Sequence, residues 1–133
     1  MISARQAQQM VAAGEERAAR IGVPVNIAVL DAGAHLKAFL RMDGAVLGSI
    51  DIALRKARTA VLFAAPSEAV WEYCKPGAPA PGLELSNGGL APFAGGIPIK
   101  GRDGELIGGV GVSGGAVPQD LEIAGAAVAA CKP

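Results

Sequence analysis

The chain has 133 residues, 51% of them hydrophobic, with 19 glycines, 12 basic and 12 acidic side chains and one histidine. That length suits a single domain over 1–133 whose core needs neither disulfide nor metal. The interspersed charge and the scarcity of rings (one Trp, one Tyr, three Phe) argue against nucleic acid, and no apolar run approaches the roughly 18 residues of a membrane span, so a cytoplasmic protein is expected.

Ser3 followed by Gln6 is a capping-box pattern, and Ala7, Met10, Val11, Ala18 and Ile21 then recur at helical spacing until Gly22 and Pro24. A first amphipathic helix is expected over about 3–21. Two β-branched or apolar runs, 25–30 and 35–41, flank the turn residues Asp31, Ala32 and Gly33 and read as a hairpin. After Asp43-Gly44 helical spacing returns: Val46, Ile50, Ala53, Ala57, Ala60 and Ala64 form a small apolar face, with Asp51 and Arg55 as a solvated pair one turn apart. Ala65-Pro66 ends that helix, and Ser67 suits the cap of a short one through Tyr73.

Residues 76–95 carry four prolines and five glycines without periodicity; a coil of this length in so small a domain points to a binding loop or an interface arm. A second hairpin follows, GIPIK and ELIGGVGV joined by Gly101-Arg102-Asp103-Gly104. Pro118 opens the last helix, with Gln119, Asp120 and Glu122 in its first turn where negative charge suits the dipole, and with Leu121, Ala124, Val128 and Cys131 as its buried stripe. This order describes an antiparallel α+β domain with helices packed on the sheet.

Within GGVGVSGG, Gly109-x-Gly111-x-x-Gly114 matches the glycine spacing of a dinucleotide-binding turn. Such a turn needs a returning strand after its helix and an acid about 20 residues on, and the remaining chain supplies neither. Two readings stay open for the turn. The free amides after Ser113 and Gly114 would receive a carboxylate or phosphate at a helix N-terminus, or the glycines serve only close packing.

Several residues are candidates for chemistry. His35 is the only imidazole, which weakens triad and zinc readings; it is either a surface residue or a ligand or proton-transfer group. Arg41 and Asp43 flank the hairpin exit, and Asp43 either caps the next helix or serves a site. Lys56 falls near Ile52 and Ala60 on the helical wheel, so it either snorkels to water or turns toward the sheet, where it needs a partner such as Asp43 or Asp31. Cys74 and Cys131 lack CxxC spacing and read as two buried thiols. Met42, Tyr73, Cys74 and His35 are each able to ligate haem iron, and no spacing selects among them.

The segments VLDAGAHLKAFLRMDGA, SIDIALRKARTA, GGIPIK, RDGELIGGVGVSG and QDLEIA, in this order and at these intervals, resemble the GlcG/HbpS-like family, which includes the C-terminal domain of PduO-type proteins. The resemblance implies a profilin-like α+β fold with a central antiparallel sheet and flanking helices, assembled as a homo-oligomer, often a tetramer or octamer. It implies haem as a possible cofactor, since some relatives bind or help degrade it, while others accompany glycolate, diol or aromatic metabolism. His35 falls in the family's Gly/Ala-His-Leu position and is the candidate haem ligand, no other metal site being expected. Asp31, Arg41, Asp43, Lys56, Thr59, Ser113 and Asp120 occupy the family's matching polar positions.

The expectation is a small-molecule binding protein, holding haem or a small organic acid through Arg41, Asp43, Lys56, Gly95, Gly96, Ser113 and Gly114, and accessory to a catabolic pathway. The alternative is a small cofactor-independent enzyme, an isomerase, hydrolase or decarboxylase, in which His35, Asp43 or Lys56 transfers the proton.

Overall fold

The computed structural model describes residues 1–132. Helix α1 (Ala4–Ile21) begins as its capping box requires: Gln6 N donates to Ser3 Oγ at 3.1 Å and Ser3 N to Gln6 Oε1 at 2.8 Å. It ends at Gly22, whose φ of 74° is the left-handed conformation of a helix stop. The hairpin of β1 (Asn26–Asp31) and β2 (Leu36–Arg41) follows, then α2 (Ser49–Phe63). A 3-10 turn (Ser67–Val70) runs into the short α3 (Trp71–Cys74), and a second 3-10 turn (Leu83–Leu85) interrupts the long loop. Strands β3 (Gly96–Lys100) and β4 (Leu106–Ser113) and helix α4 (Val117–Ala129) complete the chain.

The four strands form one antiparallel sheet in the order β2-β1-β4-β3, with α1 and α4 on one face and α2 on the other. This is the α+β, profilin-like arrangement expected from the sequence. Because β1 is central, both of its faces are buried. Ile27 and Val29 join Val110, Val112, Met10 and Ile123 in the core under α1 and α4, while Ala28 and Leu30 meet Ala53, Ala57 and Val61 of α2.

Two glycines of the motif, Gly109 and Gly111, are explained by the α2 face, and Gly114 by the close Pro24–Val25 backbone. A Cβ on Gly111 would lie 2.1 Å from the carbonyl oxygen of Ala53 and 2.5 Å from the nitrogen of Ala57, so the helix lies on bare strand backbone.

Two expectations are corrected. Helix α2 starts at Ser49 rather than just after Gly44: Ala45 N donates to Met42 O and Ser49 N to Val46 O, turning 42–48 back on itself, which leaves Val46 exposed. Asp43 therefore does not cap the helix, whose N-cap is Gly48. In α4 the buried positions are Asp120, Ile123, Ala124 and Ala127, whereas Leu121 is exposed and Val128 only half-buried. Cys74 and Cys131 are buried free thiols, as expected.

Candidate functional site

The sheet register sorts the candidate residues by end. Asn26 lies opposite both Arg41 and Ser113, and Val112 N donates to Gly95 O, so Arg41, Ser113 and Gly95 share one end of the sheet. Asp31 lies opposite Gly108 at the other end, where the hairpin carries His35. The two ends are separated by the length of β1, about 16 Å.

At the first end, Lys56 enters the interior. Its side chain is 1% exposed, and its Nζ donates to Val112 O at 2.8 Å and to Asp120 Oδ2 at 3.0 Å, with the Phe93 ring centroid 5.1 Å away. The other carboxylate oxygen, Asp120 Oδ1, accepts from Gly115 N at 2.9 Å. The partner of the buried lysine is therefore Asp120, not Asp43 or Asp31. Burial holds Lys56 below the usual lysine range, with the Asp120 hydrogen bond and charge opposing that shift. Asp120 also takes up the Gly115 amide, so this donor of the Ser113–Gly115 turn serves an internal carboxylate. Gly95 and Gly96, both buried, make room for this arrangement. At Gly95, whose φ is +126°, a Cβ would lie 2.7 Å from Lys56 Nζ, and at Gly96 one would lie 2.2 Å from the Lys56 carbonyl oxygen.

The long loop is bound to α2 through its backbone. Arg58 Nη2 donates to Asn87 O at 2.9 Å, Arg55 to Gly88 O, and Ala91 N to Thr59 Oγ1 at 3.0 Å. Ser67 Oγ donates to Phe93 O at 2.6 Å and accepts from Gly96 N at 2.9 Å. Arg55 Nε also keeps the expected pair with Asp51 Oδ2, at 2.6 Å.

Beside this fastening opens a cavity of about 640 Å³, within the usual range for small-molecule sites. Glu68, Trp71 and Glu72 form one wall, Pro92, Phe93 and Ala94 another, and Val117 at the start of α4 the third. Trp71 and Phe93 are 40% and 39% exposed, so their rings stand open to an occupant. The polar groups of the wall are carboxylates. Glu72 Oε1 accepts from Lys75 Nζ at 2.8 Å, whereas Glu68 Oε1 is shielded from solvent without a hydrogen-bond partner.

Of the predicted site residues, none lines this cavity directly. Lys56, Gly95 and Gly96 lie behind Phe93, and Ser113 is buried at the end of β4. Arg41 and Asp43 are exposed, with Arg41 two strands away from Ser113. His35, with 83% of its side chain exposed, has Nδ1 3.6 Å from Asp31 Oδ1. Among the described residues no group of three or more His, Cys, Asp or Glu side chains is placed to hold a metal ion, and no helix is long and apolar enough to cross a membrane. Sequence reasoning missed Glu68, Trp71, Phe93 and Val117. The available signal was that, of the five rings in the chain, Trp71 precedes the Pro/Gly-rich segment and Phe93 lies within it, neither belonging to an apolar stripe.

The family model described as haem degrading protein HbpS-like matches residues 2–129. The chain belongs to the HbpS-like family. Within the sequences related to it, corrinoid adenosyltransferase PduO of Salmonella typhimurium is 41% identical over 123 residues, 92% of this chain but only 36% of PduO. The chain thus spans about a third of that relative. The crystal structure of Klebsiella pneumoniae protein ORFY superposes with a TM-score of 0.93 at 38% identity, covering 97% of this chain and 89% of that one. The crystal structure of the PduOC–haem complex gives 0.90 at 39% identity, covering 97% of this chain and 94% of that one.

Proposed function

We propose that this protein binds haem in the open cavity between Trp71, Phe93 and Val117, as an oligomeric accessory of a catabolic pathway. The observation that carries the reading is the haem complex of PduOC, whose chain this one matches over 94% of its length. The cavity supports it, since two exposed rings, a proline and a valine offer apolar surface to a porphyrin. A small organic acid suits the same cavity poorly. Its walls carry two carboxylates and no cation, and Lys56 behind Phe93 is already paired with Asp120. When bound, haem would supply an iron centre, and Trp71, Pro92, Phe93 and Val117 would supply apolar walls to hold it. Exposed Leu62, Phe63, Tyr73 and Leu85 support self-association, because lone monomers rarely present so many large apolar side chains. Native mass spectrometry would read the number of copies, with a tetramer or octamer expected.

Trp71 is the only tryptophan of the chain, so its fluorescence reports on the cavity directly. Haemin titration is expected to quench it saturably as the Soret band shifts, and Trp71→Ala is expected to weaken binding by about tenfold, equivalent to about 1.4 kcal/mol. Absence of a saturable Soret shift with the unaltered chain would overturn the haem reading.

A further inference from the structure

We propose that Lys56 is the positioning residue of this cavity: without lining it, the ammonium holds Phe93 of the second wall and the α4 start of the third in the arrangement that an occupant meets. That role rests on the reading of the cavity as the binding site, and it holds whichever apolar ring fills the space.

The walls converge on one ammonium. Lys56 Nζ lies 5.1 Å from the centroid of the Phe93 ring, within reach of a cation–π contact. The same Nζ donates at 3.0 Å to Asp120 Oδ2 in the first turn of α4, the turn that begins with the wall residue Val117. Asp120 Oδ1 in turn accepts from Gly115 N, just ahead of that helix. The first wall joins through Ser67, whose Oγ donates to Phe93 O at 2.6 Å and accepts from Gly96 N at 2.9 Å. Backbone closes the remaining space around the ammonium: Val112 O accepts from it at 2.8 Å, and a Cβ on Gly95 would lie 2.7 Å from Nζ.

Stability does not account for a lysine at this place. A buried ion pair is often no better for the fold than well-packed apolar side chains of the same volume, because desolvating both charges offsets their attraction. A half-exposed phenylalanine, in contrast, has a choice of rotamers, and a cation fixed against its ring selects one. A wall ordered in advance binds more tightly, since its ordering does not have to occur on binding.

The charge of Lys56 gives this role a readout. From α4 it is faced by Asp120, from β4 by the Val112 carbonyl, and from the loop by Phe93 and Gly95. On its own helix Arg55 pairs with Asp51 and Arg58 donates to Asn87 O, and in the first wall Glu72 pairs with Lys75 while Glu68 makes no ion pair with Lys56. Burial lowers the Lys56 pKa and Asp120 opposes that shift, so the proton leaves below the ordinary 10.5.

The test labels the three phenylalanines with para-fluorophenylalanine for fluorine NMR across the alkaline range, assigning Phe93 through Phe93→Leu. In parallel, the neutral dye Nile red is titrated through quenching of Trp71, and Val117→Asp, which obstructs the cavity, marks the cavity's share of that signal. The Phe93 signal is expected to titrate with a midpoint below 10.5. Asp120→Asn, lacking the charge that supports the proton, is expected to lower that midpoint further. The double variant Lys56→Met/Asp120→Asn, which leaves no unpaired charge inside and keeps an acceptor for Gly115 N, is expected to abolish the titration and to bind Nile red about tenfold more weakly at neutral pH. In the unaltered protein Nile red affinity is expected to fall as pH rises through the Phe93 midpoint. A Phe93 signal that does not titrate, or that titrates unchanged in the double variant, would overturn the inference. So would equal Nile red affinity in the unaltered protein and the double variant. Circular dichroism guards against misfolding; if the double variant does not fold, Nile red affinity independent of pH in the unaltered protein overturns the inference by itself. Nile red binding that Val117→Asp leaves intact removes the cavity as the binding site, and the positioning role with it. Failure to take up haemin alone removes the haem reading and leaves the role of Lys56 in place.

Discussion

The two faces of the sheet are held by different means. Under α1 and α4, branched side chains interlock: Ile27, Val29, Val110, Val112 and Ile123 fill the space between layers, and the Ile27 methyl Cδ1 would be 2.8 Å from a Cβ placed on Gly14. Under α2 the layers nearly touch through backbone, with Gly109, Gly111 and alanines between them, and polar groups complete the contact: Lys56 reaches Val112 O of β4 and, past the end of the sheet, Asp120 of α4, while Thr59 and Ser67 fasten the loop and the start of β3. The first face depends on volume, which tolerates small changes. The second depends on close approach and on specific polar contacts, which do not.

Asp120→Ala is the strongest test of that difference. It leaves the Lys56 ammonium without its counter-charge and removes the acceptor of the Gly115 amide, for an expected loss of about 3–5 kcal/mol in urea unfolding. Asp120→Asn, which retains an acceptor for Gly115, is expected to lose less. Next comes a single added carbon on the same face. Gly111→Ala forces α2 away from β4 and is expected to destabilise by about 3 kcal/mol. A single carbon removed from the opposite face, Ile27→Val, is expected to cost only about 1 kcal/mol. Equal losses for these two variants would show that the faces do not differ as described.

The smallest effect lies outside both faces, at the β1–β2 hairpin. Asp31 Oδ1 accepts from His35 N at 3.0 Å and Gly33 N at 2.9 Å, and these bonds, the one from His35 foremost, hold its carboxyl below the ordinary 3.8 against the opposing effect of burial. A lowered folded-state value stabilises the fold above 3.8, and that contribution disappears as pH falls through the folded-state value. Thermal melts of the protein and of Asp31→Asn, run from neutral pH to about pH 2, should therefore differ at the neutral end and converge at the acid end.

Most of the architecture was legible in the sequence, and the reasons for the failures are local. Helix α1 and the two hairpins announce themselves through capping residues, turn glycines and alternating apolar runs. The phase of α4 was misread because its sequence is apolar on nearly every side, so Leu121 and Val128 looked as good as Ile123 and Ala127. What turns the helix is Asp120, which must face Lys56 from 64 positions away, and periodicity carries no such information. The start of α2 was placed too early because Val46 falls on its apolar spacing, yet the chain turns there on backbone bonds that any residue type supplies.

The candidate site was legible in part. Lys56 was recognised as a possible interior lysine, and its neighbour glycines were named, but their place is behind the cavity wall. The wall itself draws on 68–72, 92–94 and 117, a pair of short helical turns, a loop and the first residue of α4 with no shared period, and it takes form only when Ser67 joins the loop to the start of β3.

The strand order also governs how the chain reaches this state. The middle ladder of the sheet joins Asn26–Asp31 to residues 108–113, so the two hairpins, each closed by a short turn, must find one another across residues 42–95. Closing so long a loop is entropically costly before any of its contacts repay the cost, so the docking of the second hairpin onto the first is the expected slow event in folding. On the ribosome the inner edge of β1 has no strand partner until Leu106–Ser113 has emerged, and through that interval α1 and α2 are its available cover.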